Sequence, residues 1–391
     1  MAVKKAVTGN TAAALGASLC TPDLIAAYPI TPQSSVVEYL AGMVSNGELN
    51  SRMVQVESEH SAMSVVQGAA AAGGRVFTAT SAQGLALMFE PYMRMSTLRL
   101  PMVMAIASRE MTSPETVWSG HQDAVSVREA GWIQMFCENN QEILDMVIQS
   151  YKIAENPQVL IPVNVCYDGF YLSHLVEGVS IPDKVEIEKF LPAASFDHAT
   201  LDPDNPFALD PLTPGPLLMK YRKSHLDAME KALDVIEQVD REFEEIFGRG
   251  YGGAIEEYRC EDADIVILTM GAMTGTGKEA VDKARENGIR AGLVKIRFYR
   301  PFPAGRIAKA LSGKKAFAVI DRSVSFGWSC GAMYTETKGA LGGSGEQYAF
   351  FSAIGGLGGA DISMSHIASV IEKLEAIKDE PGEKEPLWLM D

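Results

Sequence analysis

The chain has 391 residues, 47% of them hydrophobic and 21% charged, a balance that builds packed domains and excludes disorder. A formal charge of −16 with no long basic run leaves no stripe to track a phosphate backbone, so nucleic-acid binding is not expected. No stretch approaches the roughly 20 apolar residues of a membrane span, and the N-terminal segment lacks the apolar core of a signal peptide; a cytoplasmic protein is expected.

In chain order, apolar spacing predicts a helix over residues 10–26, a stiff loop at AYPITPQSS (27–35), and a second helix carrying Val36, Val37, Leu40 and Met43. Two prolines three residues apart bias Tyr28 and Thr31 to extended backbone. Such a loop either presents Thr31, Gln33 and Ser34 to a ligand or simply caps a helix. Short apolar runs at 53–56, 75–79, 101–106, 133–136 and 159–166 read as strands buried on both faces. They alternate with helices at 62–73, 85–98 and 140–155, which predicts a doubly wound parallel α/β sheet. Prolines crowd 181–216, predicting an arm without regular structure, followed by a long amphipathic helix over 221–247. A second α/β unit follows, with strands at 265–270, 291–296, 316–321 and 348–354, helices at 276–287 and 331–341, and a closing helix at 364–377. The last fourteen residues read as a solvated charged tail on which Trp388 and Leu389 offer the apolar contacts. The expected division is therefore 1–180, an arm and linker helix over 181–255, and 256–391.

Four stretches are candidates for chemistry. GAMTGTGKEA (271–280) fails the phosphate-loop template, since Glu279 stands where Ser or Thr would hold magnesium, and Lys295 stands where a ribose-binding acid would fall. A dehydrogenase reading of this loop competes with a plain strand-to-helix turn. In QVESEHSAMSVVQGAAAAGG (55–74), Glu59 stands between a buried strand and a helix of small residues. It either shares a proton with a ring nitrogen of a flat cofactor or, with Glu57, serves the helix N-terminus. His60 beside it reads as a helix-surface residue. In the polar loop after residue 106, Arg109 either grips a carboxylate with its planar fork or fastens the loop through Glu110 or Asp123. His121 and Asp123 are too few for a metal site, and the five scattered cysteines contain no C-x-x-C pair.

Taken together, GNTAAALG (9–16), YPITPQS (28–34), SEHSAMSVVQGAAAAG (58–73), TSAQGLALM (80–88), SRE and GHQD (108–123), DGFYLSH (168–174), RFYRPFP (297–303) and GGLGGADI (355–362) resemble the α chain of four-subunit 2-oxoacid:ferredoxin oxidoreductases, most closely the pyruvate type. The resemblance spans nearly the whole chain. It implies a pyrimidine-type α/β domain of a thiamine diphosphate enzyme followed by a smaller domain similar to the transketolase C-terminal domain. It also implies that Glu59 is the catalytic glutamate, that Thr31 and Arg109 hold the substrate's oxo and carboxylate groups, and that Tyr28, Pro29, Ile30 and Ser58 lie beside the cofactor. The implied activity is CoA-dependent oxidative decarboxylation of a 2-oxo acid, pyruvate first, with electrons leaving through iron–sulfur clusters to ferredoxin. The chain has no G-D-G…N-N run and no cysteine cluster. The resemblance therefore implies that a β chain carries the diphosphate and Mg²⁺ site and a [4Fe-4S] cluster, with γ and ferredoxin-like δ chains completing a dimer of heterotetramers. A non-catalytic assembly subunit is the alternative from another class. The bulk of the Trp118 loop leaves open an aromatic, branched or dicarboxylic 2-oxo acid, such as phenylglyoxylate, 2-oxoisovalerate or 2-oxoglutarate, with oxalate as a further candidate.

Overall fold

A computed structural model describes residues 3–111, 113–194 and 200–390. The first unit runs β1 (Val3–Thr8), α1 (Gly9–Leu19), β2 (Leu24–Ala27), α2 (Ser34–Ser45), β3 (Arg52–Gln55), α3 (Glu59–Ala71), β4 (Val76–Thr80), α4 (Ala82–Leu87), α5 (Phe89–Thr97), β5 (Val103–Ser108), α6 (Gln122–Ser126), β6 (Ile133–Phe136), α7 (Asn140–Ala154), β7 (Val163–Asp168) and α8 (Tyr171–His174). Then come β8 (Val176–Ile181), α9 (Lys184–Phe190) and the 33-residue α10 (Gly215–Phe247). The second unit comprises β9 (Ile255–Tyr258), β10 (Ile265–Thr269), α11 (Met273–Glu286), β11 (Ala291–Ile296), β12 (Phe298–Arg300), α12 (Ala304–Leu311), β13 (Ala316–Asp321), α13 (Ala332–Leu341), β14 (Ala349–Gly355), α14 (Met364–Ile377), β15 (Gly382–Glu383) and β16 (Leu387–Leu389).

The first sheet has the order β12-β6-β7-β5-β4-β2-β3, and every strand pair except β12·β6 is parallel. Its central strands are buried throughout, and their side chains alternate between two cores as the pleat requires. Val103, Ala105 and Ala107 face the layer of α1, α7 and α10, whereas Met104 and Ile106 face the opposite way. The second sheet has the order β15-β14-β13-β10-β11-β9, with β16 also on β14. Val266, Leu268, Val294 and Val319 of this sheet share one continuous core with Met104, Ile106, Phe136 and Cys166 of the first. The two sheets are therefore joined by packed apolar side chains, and β12 extends from the second unit into the first sheet. Glu142 on α7 adds a buried ionic clasp to Lys295 (2.7 Å) and Arg297 (2.5 Å); these two cations, outweighing burial, hold its carboxyl down at about 2.

Five local expectations are corrected. The helix expected to run to residue 26 stops at Leu19. Pro22 follows the positive-φ Thr21, and residues 24–27 pair as β2 with β3 and β4. β3 is not buried on both faces but is an edge strand with Arg52 and Gln55 exposed. The helix expected over 85–98 is two, α4 and α5, meeting at Met88. The proline-rich arm contains regular structure: α9 opens with a capping box at Asp183, which local apolar periodicity does not reveal, and just ahead of the arm β8 pairs antiparallel with β1. Residues 195–199 of that arm, like Thr112, lie outside the described residues. Finally, the C-terminal segment is not a free tail. β15 and β16 pair with β14, and Leu389 is buried over Gly355, where a Cβ would lie 2.8 Å from it.

Candidate active site at the carboxyl edge of the first sheet

The strands β3, β2, β4, β5 and β7 all end on one edge of the sheet, the edge at which open α/β sheets hold their ligands. After β2 comes the stiff loop. Gln33 is fully buried and braces it from within, its backbone N–H donating to Ile30 O and its side-chain Nε2 to Tyr28 O. Asn10, at the start of α1, donates to Pro32 O (2.6 Å) and Ser35 Oγ (2.8 Å) and is itself held by Tyr167 Oη. Gln33 thus does not face a ligand, contrary to expectation. Tyr28, Pro29 and Thr31 are exposed, and the Thr31 hydroxyl has no hydrogen-bond partner among the described residues.

After β3, Ser58 takes the N-cap of α3 and accepts from Ser61 N. Glu57 accepts from the Ser61 hydroxyl, and exposed His60 lies 3.6 Å from Glu90. The cap is therefore Ser58, which leaves Glu59 unused. Its side chain is 6% exposed and its carboxylate has no hydrogen bond or ion pair among the described residues. Buried carboxylates are ordinarily paired. Gly84, on α4, lies against it: a Cβ there would stand 2.7 Å from Glu59 Oε1 and 2.4 Å from Thr80 Oγ1.

After β5, Arg109 is 5% exposed; its Nη1 donates to Thr31 O (2.6 Å) and its Nη2 to Gln83 Oε1 (2.5 Å). Burial lowers its pKa, with Glu115 and Asp123 opposing, yet a guanidinium stays charged. Neither expected fastening exists. The Glu110 carboxylate turns instead to Gly358 N (3.4 Å), where burial pushes it up to about 7, and Asp123 binds backbone. Asp123 accepts from Ala82 N (2.9 Å), Arg109 N (3.1 Å) and Ala124 N (2.7 Å). Burial pushes its carboxyl up to about 6 against the pull of these amides.

After β7, Asp168 is fully buried and ties the first sheet to the second unit. It accepts from Ser119 Oγ (2.9 Å), His121 Nε2 (3.1 Å), Arg322 Nη1 (2.5 Å) and Ala272 N (2.8 Å). Burial pushes its carboxyl up, but Arg322 and His121 outweigh this and hold it well below the carboxylate range. Burial in turn keeps His121 below its ordinary value despite Asp168. Gly271, at φ +75°, makes this contact possible, since a Cβ there would lie 2.9 Å from Asp168 Oδ2. Asp168→Ala strands Arg322 without its anion in the core, and should cost about 3–5 kcal/mol, read as a lower Tm of the complex. A depressed carboxyl stabilises above its unfolded value near 4, and that contribution fades as pH falls below it. The variant should therefore lose less stability than the parent on acidification below about pH 4.

The structure gathers Glu59, Thr31, Arg109, Ser58 and the Tyr28–Ile30 loop on one edge. The GTGKEA stretch lies within α11, after a tight strand-to-helix turn at Gly271. Ala272 N is taken by Asp168, Gly277 packs on Leu293, and Lys278 pairs with Glu138 and Glu256. No group of three or more His, Cys, Asp or Glu is placed to hold a metal among the described residues. Sequence reasoning missed Gln83 and the brace Asn10, although both lie in stretches it had marked, TSAQG and GNTAAALG. Trp118 packs on Phe170 at 4.5 Å and, with Tyr171, lines a cavity of about 300 Å³ between the two units.

Comparison with known proteins adds independent findings. Residues 15–241 match the family described as pyruvate flavodoxin/ferredoxin oxidoreductase, thiamine diphosphate-binding, and residues 263–367 match pyruvate:ferredoxin oxidoreductase core domain II. The chain is 48% identical to the NADH-dependent phenylglyoxylate dehydrogenase subunit alpha of Aromatoleum evansii, over 97% of this chain and 93% of that protein. It is 45% identical to the pyruvate synthase subunit PorA of Methanocaldococcus jannaschii, over 96% of each. Among solved structures, the 2-oxoglutarate:ferredoxin oxidoreductase of Magnetococcus marinus, with 2-oxoglutarate, coenzyme A and succinyl-CoA bound, aligns with a TM-score of 0.75 at 19% identity. That alignment covers 95% of this chain and 65% of the other, and it speaks for the fold alone.

Proposed function

Since this chain belongs to the family of 2-oxoacid:ferredoxin oxidoreductase α subunits, we propose that it is the catalytic but incomplete α subunit of such an enzyme. The reaction is the thiamine diphosphate- and CoA-dependent oxidative decarboxylation of a 2-oxo acid, with pyruvate favoured. The observation that carries this reading is the unpartnered carboxylate of the largely buried Glu59, on the edge that also holds Thr31 and Arg109. An orphaned acceptor beside a residue without a Cβ fits the edge of a nitrogen-bearing ring, so the cofactor's aminopyrimidine suits this chain.

When bound, thiamine diphosphate supplies the carbon nucleophile and the electron sink for decarboxylation. Glu59 would hold a proton between its carboxylate and ring nitrogen N1′. Arg109 has three N–H donors beyond the two used by Thr31 and Gln83, enough for a substrate carboxylate. The Thr31 hydroxyl would turn to the oxo group. Tyr28, Pro29, Ile30 and Ser58 would border the cofactor, and exposed Tyr28 and Pro29 would meet the chain that covers it. With no G-D-G…N-N run or cysteine cluster here, the diphosphate, Mg²⁺ and [4Fe-4S] sites fall to partner β, γ and δ chains that pass electrons to ferredoxin. Five unbridged, buried cysteines suit the reducing cytoplasm.

A second substrate reading is favoured by the aromatic cavity at Trp118, Phe170 and Tyr171, which offers room for an arylglyoxylate. The intact complex assayed with CoA against pyruvate, 2-oxoisovalerate, 2-oxoglutarate, oxalate and phenylglyoxylate should give its highest kcat/KM with pyruvate. The purified chain alone should give none. A complex that turns over no 2-oxo acid would overturn the function, and a preference for phenylglyoxylate would move it to the second substrate.

A further inference from the structure

We propose that Asp123 is a positioning residue for 2-oxo acid binding: its buried carboxylate locks together the two backbone segments whose side chains, Gln83 and Arg109, form the substrate-carboxylate site. This inference rests on the role given above to Arg109. Asp123 Oδ2 receives both Ala82 N (2.9 Å) and Arg109 N (3.1 Å), while Oδ1 receives Ala124 N (2.7 Å) at the start of α6. One carboxylate thus joins the segments that follow β4 and β5, beyond the strand ladder and the bond from Ser81 Oγ to Ala107 O (2.8 Å). Ala82 is held at φ +36°, a backbone region that non-glycine residues avoid. Such strain persists only where surrounding contacts impose it, and the bond from Ala82 N to Asp123 is a polar contact at that fully buried residue. The next side chain, Gln83, meets the Arg109 guanidinium, and the residue after it, Gly84, abuts Glu59.

Without Asp123, Ala82 relaxes, Gln83 withdraws from Arg109, and the guanidinium loses its orientation while keeping its charge. Two amides of different segments on a single oxygen also explain why the residue is an acid. An Asn side chain has only one acceptor oxygen. Turned toward Ala82 and Arg109, it sets its NH₂ against the Ala124 N–H; turned the other way, it loses both substrate-side bonds.

The test uses Asp123→Ala and Asp123→Asn in the assembled complex. The Ala variant should raise KM for the 2-oxo acid about tenfold or more, with thiamine diphosphate affinity, measured by titration calorimetry, within about twofold of the parent. The Asn variant should fall between the two. Amide hydrogen exchange should accelerate in segments 80–85 and 107–111 and stay unchanged in segment 265–269 of the second sheet. Unchanged KM with unchanged local exchange overturns the inference, as does acceleration spread evenly over both sheets, which marks a merely structural acid. If the Ala variant fails to assemble, the Asn variant carries the same readouts. A parent complex without 2-oxo acid turnover would sink the functional reading instead, and the exchange pattern would still decide whether Asp123 locks the two segments.

Discussion

Glu59→Gln is expected to lower turnover of the assembled complex by about 10²–10⁴-fold, the range associated with a positioned proton-transfer group. Its Tm should stay level. The two halves of this expectation come from one feature. Glu59 is largely buried and its carboxylate has no hydrogen-bond or ion-pair partner among the described residues, so the fold does not depend on its charge. Gln has the same shape and no charge, and the substitution breaks no bond of the fold. A side chain kept for stability gives the reverse signature, a lower Tm with modest change in rate. Steady-state kinetics and thermal unfolding of the same preparation separate the two. Turnover within twofold of the parent would remove Glu59 from the chemistry.

The second large effect is at Arg109. Arg109→Ala should raise KM for the 2-oxo acid and lower kcat/KM by about 10–10² fold, since a hydrogen bond between charged groups contributes about 1.5–3 kcal/mol. Arg109→Lys should recover part of the loss and no more: it keeps the charge but not the planar fork. Besides its proposed ligand, the guanidinium holds Thr31 O and Gln83 Oε1. Truncation therefore also frees the Thr31 loop, so part of the decrease should appear in kcat, where misplacement of a reacting group is felt. Equal KM for parent and both variants, measured over the full saturation curve, would assign Arg109 to fastening the loop alone.

Much of the architecture is legible along the chain because buried parallel strands leave an unmistakable trace. Runs such as residues 103–108 and 316–321 are buried along their whole length. Where the trace failed, a local signal was overruled by a distant partner. The segment 24–27 looks like the end of a helix until β3 and β4 flank it. The last residues look solvated until β14 offers an open edge and Gly355 leaves room for Leu389. Asp183 carries a readable signal, an acid three residues before Glu186, within a segment whose prolines read as irregular.

For the site, residue types and their order along the chain determined the candidates: a carboxylate at a strand-to-helix junction, an arginine after a buried strand, a threonine in a proline-stiffened loop. The same residues include no G-D-G…N-N run and no clustered cysteines. What only the tertiary structure decided is how each polar group spends its hydrogen bonds. Ser58 caps α3 and frees Glu59; Gln33 turns inward; Asp123 binds three amides, not the guanidinium; Asp168 clasps Arg322 from 154 residues away. The reason is physical: burial in a low-dielectric interior drives most polar atoms to a partner. Partners are chosen by distance in space, which sequence spacing does not encode.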